Sequence, residues 1–189
     1  MPKARVYLAL LHYPVYNKRM DIVNTSVTNL DIHDIARSSA TYGLEGYYIV
    51  QPLKPQRLMV ERIIAYWNSG QGHQYNPDRQ KAIEKVKVCN NFDTLVKEVE
   101  VLEGDRPQVV VTDARTYPKT VSYKQMRDLL SADGVYILLF GTGWGIAKET
   151  MEKADWILEP IYGYGSYNHL SVRSAAAIIL DRLLGEKWW

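Results

Sequence analysis

One cysteine, Cys89, is all that this 189-residue sequence holds. An internal disulfide is therefore excluded, and the apolar neighbours of Cys89 mark it as a small buried hydrophobe. Charge of one sign is not in excess either. A net charge of +2 permits contact with nucleic acid without demanding it, because a dedicated binding module carries a stronger imbalance. Long hydrophobic runs are missing. The longest, Val135 to Phe140 among them, are far too short to cross a bilayer, so no membrane association is expected. The N-terminus reaches the polar Asn17–Asp21 region without a signal-peptide pattern, and a cytoplasmic location is the expectation. His12, His33, His73 and His169 form no ligand-spaced cluster, so no metal is expected. No repeat, low-complexity tract or linker interrupts the chain, and residues 1–189 read as one domain.

What is present is alternation. Short apolar runs bounded by turn residues predict strands at Val6–Leu11, Gly46–Val50, Val86–Cys89, Val109–Thr112, Val135–Phe140 and Trp156–Leu158. Between and after them, amphipathic stretches predict helices at Leu30–Tyr42, Gln56–Trp67, Phe92–Leu102, Tyr123–Leu130, Ala147–Lys153 and Ser171–Leu184. Such alternation implies an α/β fold, a mainly parallel sheet with helices on both faces. Ser69–Asp78, rich in Gly, Asn and Pro, reads as a long irregular loop.

Three segments carry candidate chemistry. In the first, from Thr28 to Gly43, Asp31, Asp34 and Arg37 are spaced three apart and fall along one side of a helix. Gly43 is placed to end that helix. In the second, Gly141-Thr-Gly-Trp-Gly145 follows a strand, and alternate glycines there let backbone wrap a ligand. The third is the Gly- and Tyr-rich loop from Glu159 to Leu170, which runs straight into an Ala-rich helix. Its glycines permit tight turns, and the helix start offers unpaired N–H groups. The two glycine loops follow successive strands, so their ends are expected as neighbours at the carboxyl edge of the sheet, where open α/β sheets bind ligands. A nicotinamide dinucleotide enzyme would need Gly-x-Gly-x-x-Gly after the first strand, and Leu11-His-Tyr-Pro-Val-Tyr has none.

At these three segments the chain resembles the SPOUT superfamily of S-adenosylmethionine-dependent RNA methyltransferases. The first motif of that superfamily, Asn-x-Gly-x-x-x-Arg-x-x-x-x-(Phe/Tyr)-Gly, is answered from Asp31 to Gly43. Arg37 and Tyr42-Gly43 match, whereas Asp31 and His33 replace the Asn and the first Gly. The second motif is answered by Gly141 to Gly145, without its Glu, and the third, Ser-Leu-Asn-Val-Ser-x-Ala-x-Ala, by the run from Ser166 to Ala177.

The resemblance implies a C-terminal trefoil knot, a homodimer with its site completed across the interface, and a bent cofactor in a cleft of three loops. Leu170, Ala176, Ile179, Leu180 and Leu183, together with Trp188-Trp189, are the expected interface. The expected walls of the S-adenosylmethionine site are Phe140, Gly141, Thr142, Gly143 and Gly145; then Ile161, Gly165, Tyr167, Asn168 and Leu170; and, after the fourth strand, Thr112 and Asp113. Asn168 is placed either to bind the cofactor or to cap the last helix. Asp31 or Asp34 is the candidate proton acceptor, and Arg37 an anchor for phosphate or acceptor. The substrate would be tRNA or rRNA, methylated on base or ribose. Arg115, Lys119 and Tyr117 are the expected RNA contacts, Tyr117 by stacking. Further basic clusters are Lys54, Arg57 and Arg62, and Arg79, Lys81, Lys85 and Lys87. A non-catalytic RNA- or nucleotide-binding protein on the same fold is the alternative.

Overall fold

A computed structural model describes residues 3–165 and 167–186, with the side chains of Gln71 and His73 outside that description. The element order is β1 Arg5–Leu11, β2 Val15–Tyr16, β3 Ile22–Val23, α1 Asn29–Thr41, β4 Gly46–Val50, α2 Lys54–Asn68, α3 Gly70–Tyr75, α4 Pro77–Ile83, β5 Val86–Cys89, α5 Phe92–Glu103, β6 Gln108–Val111, α6 Tyr123–Ser131, β7 Val135–Gly141, α7 Lys148–Met151, β8 Trp156–Ile157 and α8 Val172–Leu184. Six strands pair in parallel in the order β5-β4-β1-β7-β6-β8.

Alternation along β1 divides the core. Val6, Leu8 and Leu10 pack into one apolar layer beneath α1, α2, α4, α6 and α8, while Tyr7, Ala9 and Leu11 face the other, which α5 covers. Burial on both faces is why the strands read as continuous apolar runs.

The helix ends follow local chemistry. Thr28 caps α1, its hydroxyl accepting from the Asp31 N–H, and Gly43 leaves the helix at φ +71°. Ser122 and Gln125 form a reciprocal capping box on α6.

The region 69–78 is not a loop. Most of it forms α3 and the start of α4, because the Asn76 side chain accepts from the Arg79 N–H and Pro77 fits the first helical turn. The hairpin β2–β3 is also absent from the sequence reading, since two-residue strands carry no periodicity. Its turn is made by Asn17, whose side-chain oxygen accepts from the N–H groups of Arg19 and Asp21. β6 lies between β7 and β8, so the strands that lead into the two glycine loops are not adjacent, although both loops leave the same edge of the sheet and line one cavity. Ala176, Ile179, Leu180 and Leu183 are buried within their own chain, so they supply core rather than interface; Trp188 and Trp189 lie outside the described residues. Among the described residues no helix is long and apolar enough to cross a membrane.

Candidate active site

Register decides where the loops meet. Leu11 stands opposite Gly141, and Val111 opposite Leu139 and Ile157, so the segments after β1, β6, β7 and β8 leave one edge of the sheet together. Between them is a cleft of about 920 Å³. Its walls include Thr112 to Arg115, Phe140 to Gly145, and Ile161 with Tyr167 to Val172. Thr25, Ser26, Thr28 and Asp31 line it too. Of the expected cofactor residues, only Gly165 falls outside these walls.

The glycine loop is shaped by the hairpin above it. The Trp144 N–H donates to the Tyr16 carbonyl at 2.8 Å, and the Tyr16 N–H donates to the Gly145 carbonyl at 2.9 Å. Gly143 and Gly145 take φ of +62° and +104°, values that side-chain-bearing residues rarely adopt.

Several expected ligands are already engaged within the chain. The Thr112 hydroxyl donates to the Leu139 carbonyl at 3.1 Å. Both Asp113 oxygens are held by Arg115, through contacts from 2.8 to 3.3 Å, and Tyr117 adds a hydroxyl donor at 3.0 Å. That carboxylate raises the Arg115 pKa chiefly by its hydrogen bond, and burial with Asp113 pushes the Tyr117 hydroxyl up to about 12. Asp113 thus aims Arg115 at the cleft, and the Tyr117 hydroxyl is tied down. Lys119 is exposed and outside the cleft. Asn168 lines the cleft but does not cap the last helix: its amide donates to the Ala114 carbonyl at 2.6 Å, joining two walls, while Ser171 caps α8.

The first segment splits. Asp31 is buried, 8% exposed, on the cleft wall. It accepts from the Thr28 hydroxyl at 2.6 Å and lies 3.5 Å from the Arg173 Nε. Asp34 is outside the cleft and pairs with the same guanidinium at 3.0 Å. Arg37 is exposed and also outside it. Arg173, which the sequence reading passed over, is thus the residue that ties α8 to the carboxylates of α1. The only signal for it was its place just after the Ser171 cap.

From the cleft wall a polar chain leads to the buried His12. The Thr142 hydroxyl donates to the Leu11 carbonyl at 3.0 Å and lies 2.5 Å from the Thr25 hydroxyl, which is 3.0 Å from the His12 Nδ1. Burial pulls the His12 pKa down from 6.5 to about 4, against the opposing pull of Asp31. The unfolded chain binds a proton in that interval that the fold refuses. The resulting stability is complete above pH 6.5 and is lost as pH falls towards 4, by about 3 kcal/mol. Urea unfolding across this range should show that loss in the wild type and a slope flatter by the same amount in His12→Asn. Identical slopes would remove His12 from the account.

A family model for SAM-dependent RNA methyltransferases matches residues 5–185. A protein of Aquifex aeolicus (strain VF5), described as uncharacterized, is 47% identical over 184 residues, 97% of this chain and 90% of that one. A tRNA (guanine-N(1)-)-methyltransferase of Oleidesulfovibrio alaskensis is 44% identical over 185 residues, 98% of this chain. The chain spans 43% of that relative's length. Among solved structures, a TrmH/SpoU tRNA modifying enzyme of A. aeolicus matches with a TM-score of 0.56 at 16% identity. That match covers 97% of this chain and 75% of the other, a likeness of fold.

Proposed function

Because the chain belongs to the family of S-adenosylmethionine-dependent RNA methyltransferases, we propose that it methylates a ring nitrogen of a tRNA base, with Asp31 taking the proton the acceptor loses. The observation that carries this reading is the burial of Asp31 in the same cleft as the three loops. A ring N–H is far more acidic than a ribose hydroxyl, so a carboxylate is a sufficient base for the first and a poor one for the second. More than half of the guanine-N(1) relative lies outside the match, so the choice of a ring nitrogen rests on Asp31 rather than on that relative's description.

The cleft suits S-adenosylmethionine. Phe140, Ile161, Leu170 and Val172 offer an apolar slot for adenine, beside the 141–145 backbone, which Gly143 and Gly145 let pass close to Tyr16 and Arg115. These residues, with Thr112, Gly141, Thr142, Tyr167 and Asn168, are the proposed cofactor contacts; Asp113 acts through Arg115. When bound, the cofactor supplies an electrophilic methyl group and departs as a neutral thioether. Asp31 accepts the ring N–H proton as the nitrogen forms its bond to the methyl carbon. Thr28 and Arg173 hold the carboxylate in place, and Arg115 meets an RNA phosphate at the cleft mouth.

Residues 1–189 are proposed to act as one domain, knotted where the chain after β8 passes the 112–121 segment. The parallel bridge of Val121 with Leu158 and the bond from Asn168 to Ala114 support that path. A homodimer is also proposed. Arg37 lies outside its own cleft, and Leu30, 57% exposed, shares its face of α1, so a second copy would carry Arg37 to the neighbouring cleft. The chemistry is tested by incubating the protein with methyl-labelled cofactor and unmodified tRNA, then identifying the labelled nucleoside by mass spectrometry. A base-methylated nucleoside is expected. Label confined to ribose would overturn the choice of acceptor, and no label in any RNA would favour a binding protein.

A further inference from the structure

A second concavity, of about 660 Å³, opens on the other side of α1. Asn29 and His33 of α1, Leu58, Arg62 and Tyr66 of α2, and Arg79 of α4 line it. None of its lining residues is a carboxylate, whereas two guanidinium groups face the same space. Tyr66 and Leu58 are 52% and 42% exposed there. Arg79 lies over the Trp67 ring at 5.0 Å, and the His33 ring meets the same indole edge-on at 5.5 Å. The Arg79 Nε and the His33 Nδ1 are buried with no hydrogen-bond partner among the described residues. Burial, then the charge of Arg79, pulls the His33 pKa below its usual value, so the ring is neutral at neutral pH.

A cavity that is positive, aromatic and short of hydrogen-bond partners has the chemistry of a nucleotide site: aromatic rings stack on bases and guanidinium groups meet phosphate. Its position agrees. Asn29 lines this concavity, whereas Thr28 and Asp31 line the cleft, so the two share one turn of α1. The helix between them is about 10–12 Å across with its side chains, a span that a short stretch of unstacked RNA can bridge. We propose that this concavity seats a nucleotide flanking the one being methylated, with Tyr66 stacked on its base and Arg62 and Arg79 on its phosphate. The His33 imidazole meets the base edge. The assignment rests on the RNA substrate proposed above and extends it to a specificity subsite. It also explains how two basic clusters that are separate in sequence act together. Arg62 and Arg79 converge here, whereas Arg57 is spent on the Gln51 and Pro52 carbonyls.

The test is fluorescence anisotropy with a short labelled single-stranded RNA, using wild type and the double variant Arg62→Ala/Tyr66→Ala. Cofactor affinity, thermal midpoint and sedimentation are measured alongside. The variant should bind RNA about tenfold or more weakly, with a log–log salt slope shallower by about 0.7 for the lost phosphate contact. Cofactor affinity and thermal midpoint should not change. RNA affinity within twofold of wild type would overturn the subsite and leave the methyltransferase reading intact. A shift from dimer to monomer would also overturn it, making the concavity a subunit contact. A wild type that binds cofactor but no RNA would sink both.

Discussion

Asp31→Asn should lower the rate of methyl transfer in single turnover by about 10²- to 10⁴-fold, the range that a positioned general base contributes, while cofactor affinity stays within about twofold. The substitution keeps the size of the side chain and an oxygen to accept from Thr28. It removes the site that takes the proton and the attraction for Arg173. Arg173 retains Asp34 at 3.0 Å, so the folded state should lose only about 1 kcal/mol. Glu159 also lines the cleft, and one of its oxygens accepts from the Tyr123 N–H at 2.8 Å. Glu159→Gln is therefore the control, expected to turn over within about fivefold of wild type. An unimpaired Asp31→Asn enzyme would reduce Asp31 to a helix cap and ion-pair partner. The same variant tests the subunit arrangement. If a dimer joins Asp31 of one copy to Arg37 of the other, random mixing with Arg37→Ala should restore about a quarter of wild-type turnover. Half the dimers would then be mixed, each with one intact site. A site built within one chain would recover nothing.

Gly143→Ala has the second large expected effect, about 2–4 kcal/mol of stability and a cofactor affinity at least tenfold weaker. At φ +62° an alanine pays the left-handed penalty of about 1 kcal/mol. Its Cβ would also stand 2.7 Å from the Tyr16 carbonyl oxygen. That oxygen is fixed backbone, already accepting from the Trp144 N–H, so the hairpin must move off the loop and the cofactor wall moves with it. Gly165 is a contrast within the same cluster of loops. A Cβ there meets nothing within 4 Å, and its φ is not left-handed. Gly165→Ala should therefore change stability by less than about 0.5 kcal/mol. Urea unfolding and calorimetric cofactor titration of both variants separate the cases. Equal, small effects at the two positions would mean that the hairpin does not shape the site.

How far the sequence reached depends on the range of the interactions involved. The buried strands were legible because both faces of each must be apolar, and α1 and α8 because their apolar spacing is helical, with Gly43 closing α1; the caps Thr28 and Ser171 emerged only in the structure. The glycine loop at 141–145 was legible for the same local reason. The helices at 70–83 were not, because turn-forming Asn76 and Pro77 also serve as a helix start, and composition does not choose between those uses. Pairings between distant residues were out of reach altogether. Nothing near Arg173 says that it meets Asp31, and nothing near Asn168 says that its amide meets the Ala114 carbonyl.

The sequence alone thus determined an α/β chain with three ligand-type loops and a carboxylate in place of an amide at position 31. Only the tertiary structure decided that β6 separates the strands feeding the two glycine loops, that Asp31 rather than Asp34 or Arg37 lines the cleft, and that Arg62 and Arg79 share a cavity. The physical reason is that local propensity sets elements and their ends. Which side chains meet depends on strand order and register, and these arise from the packing of the whole sheet.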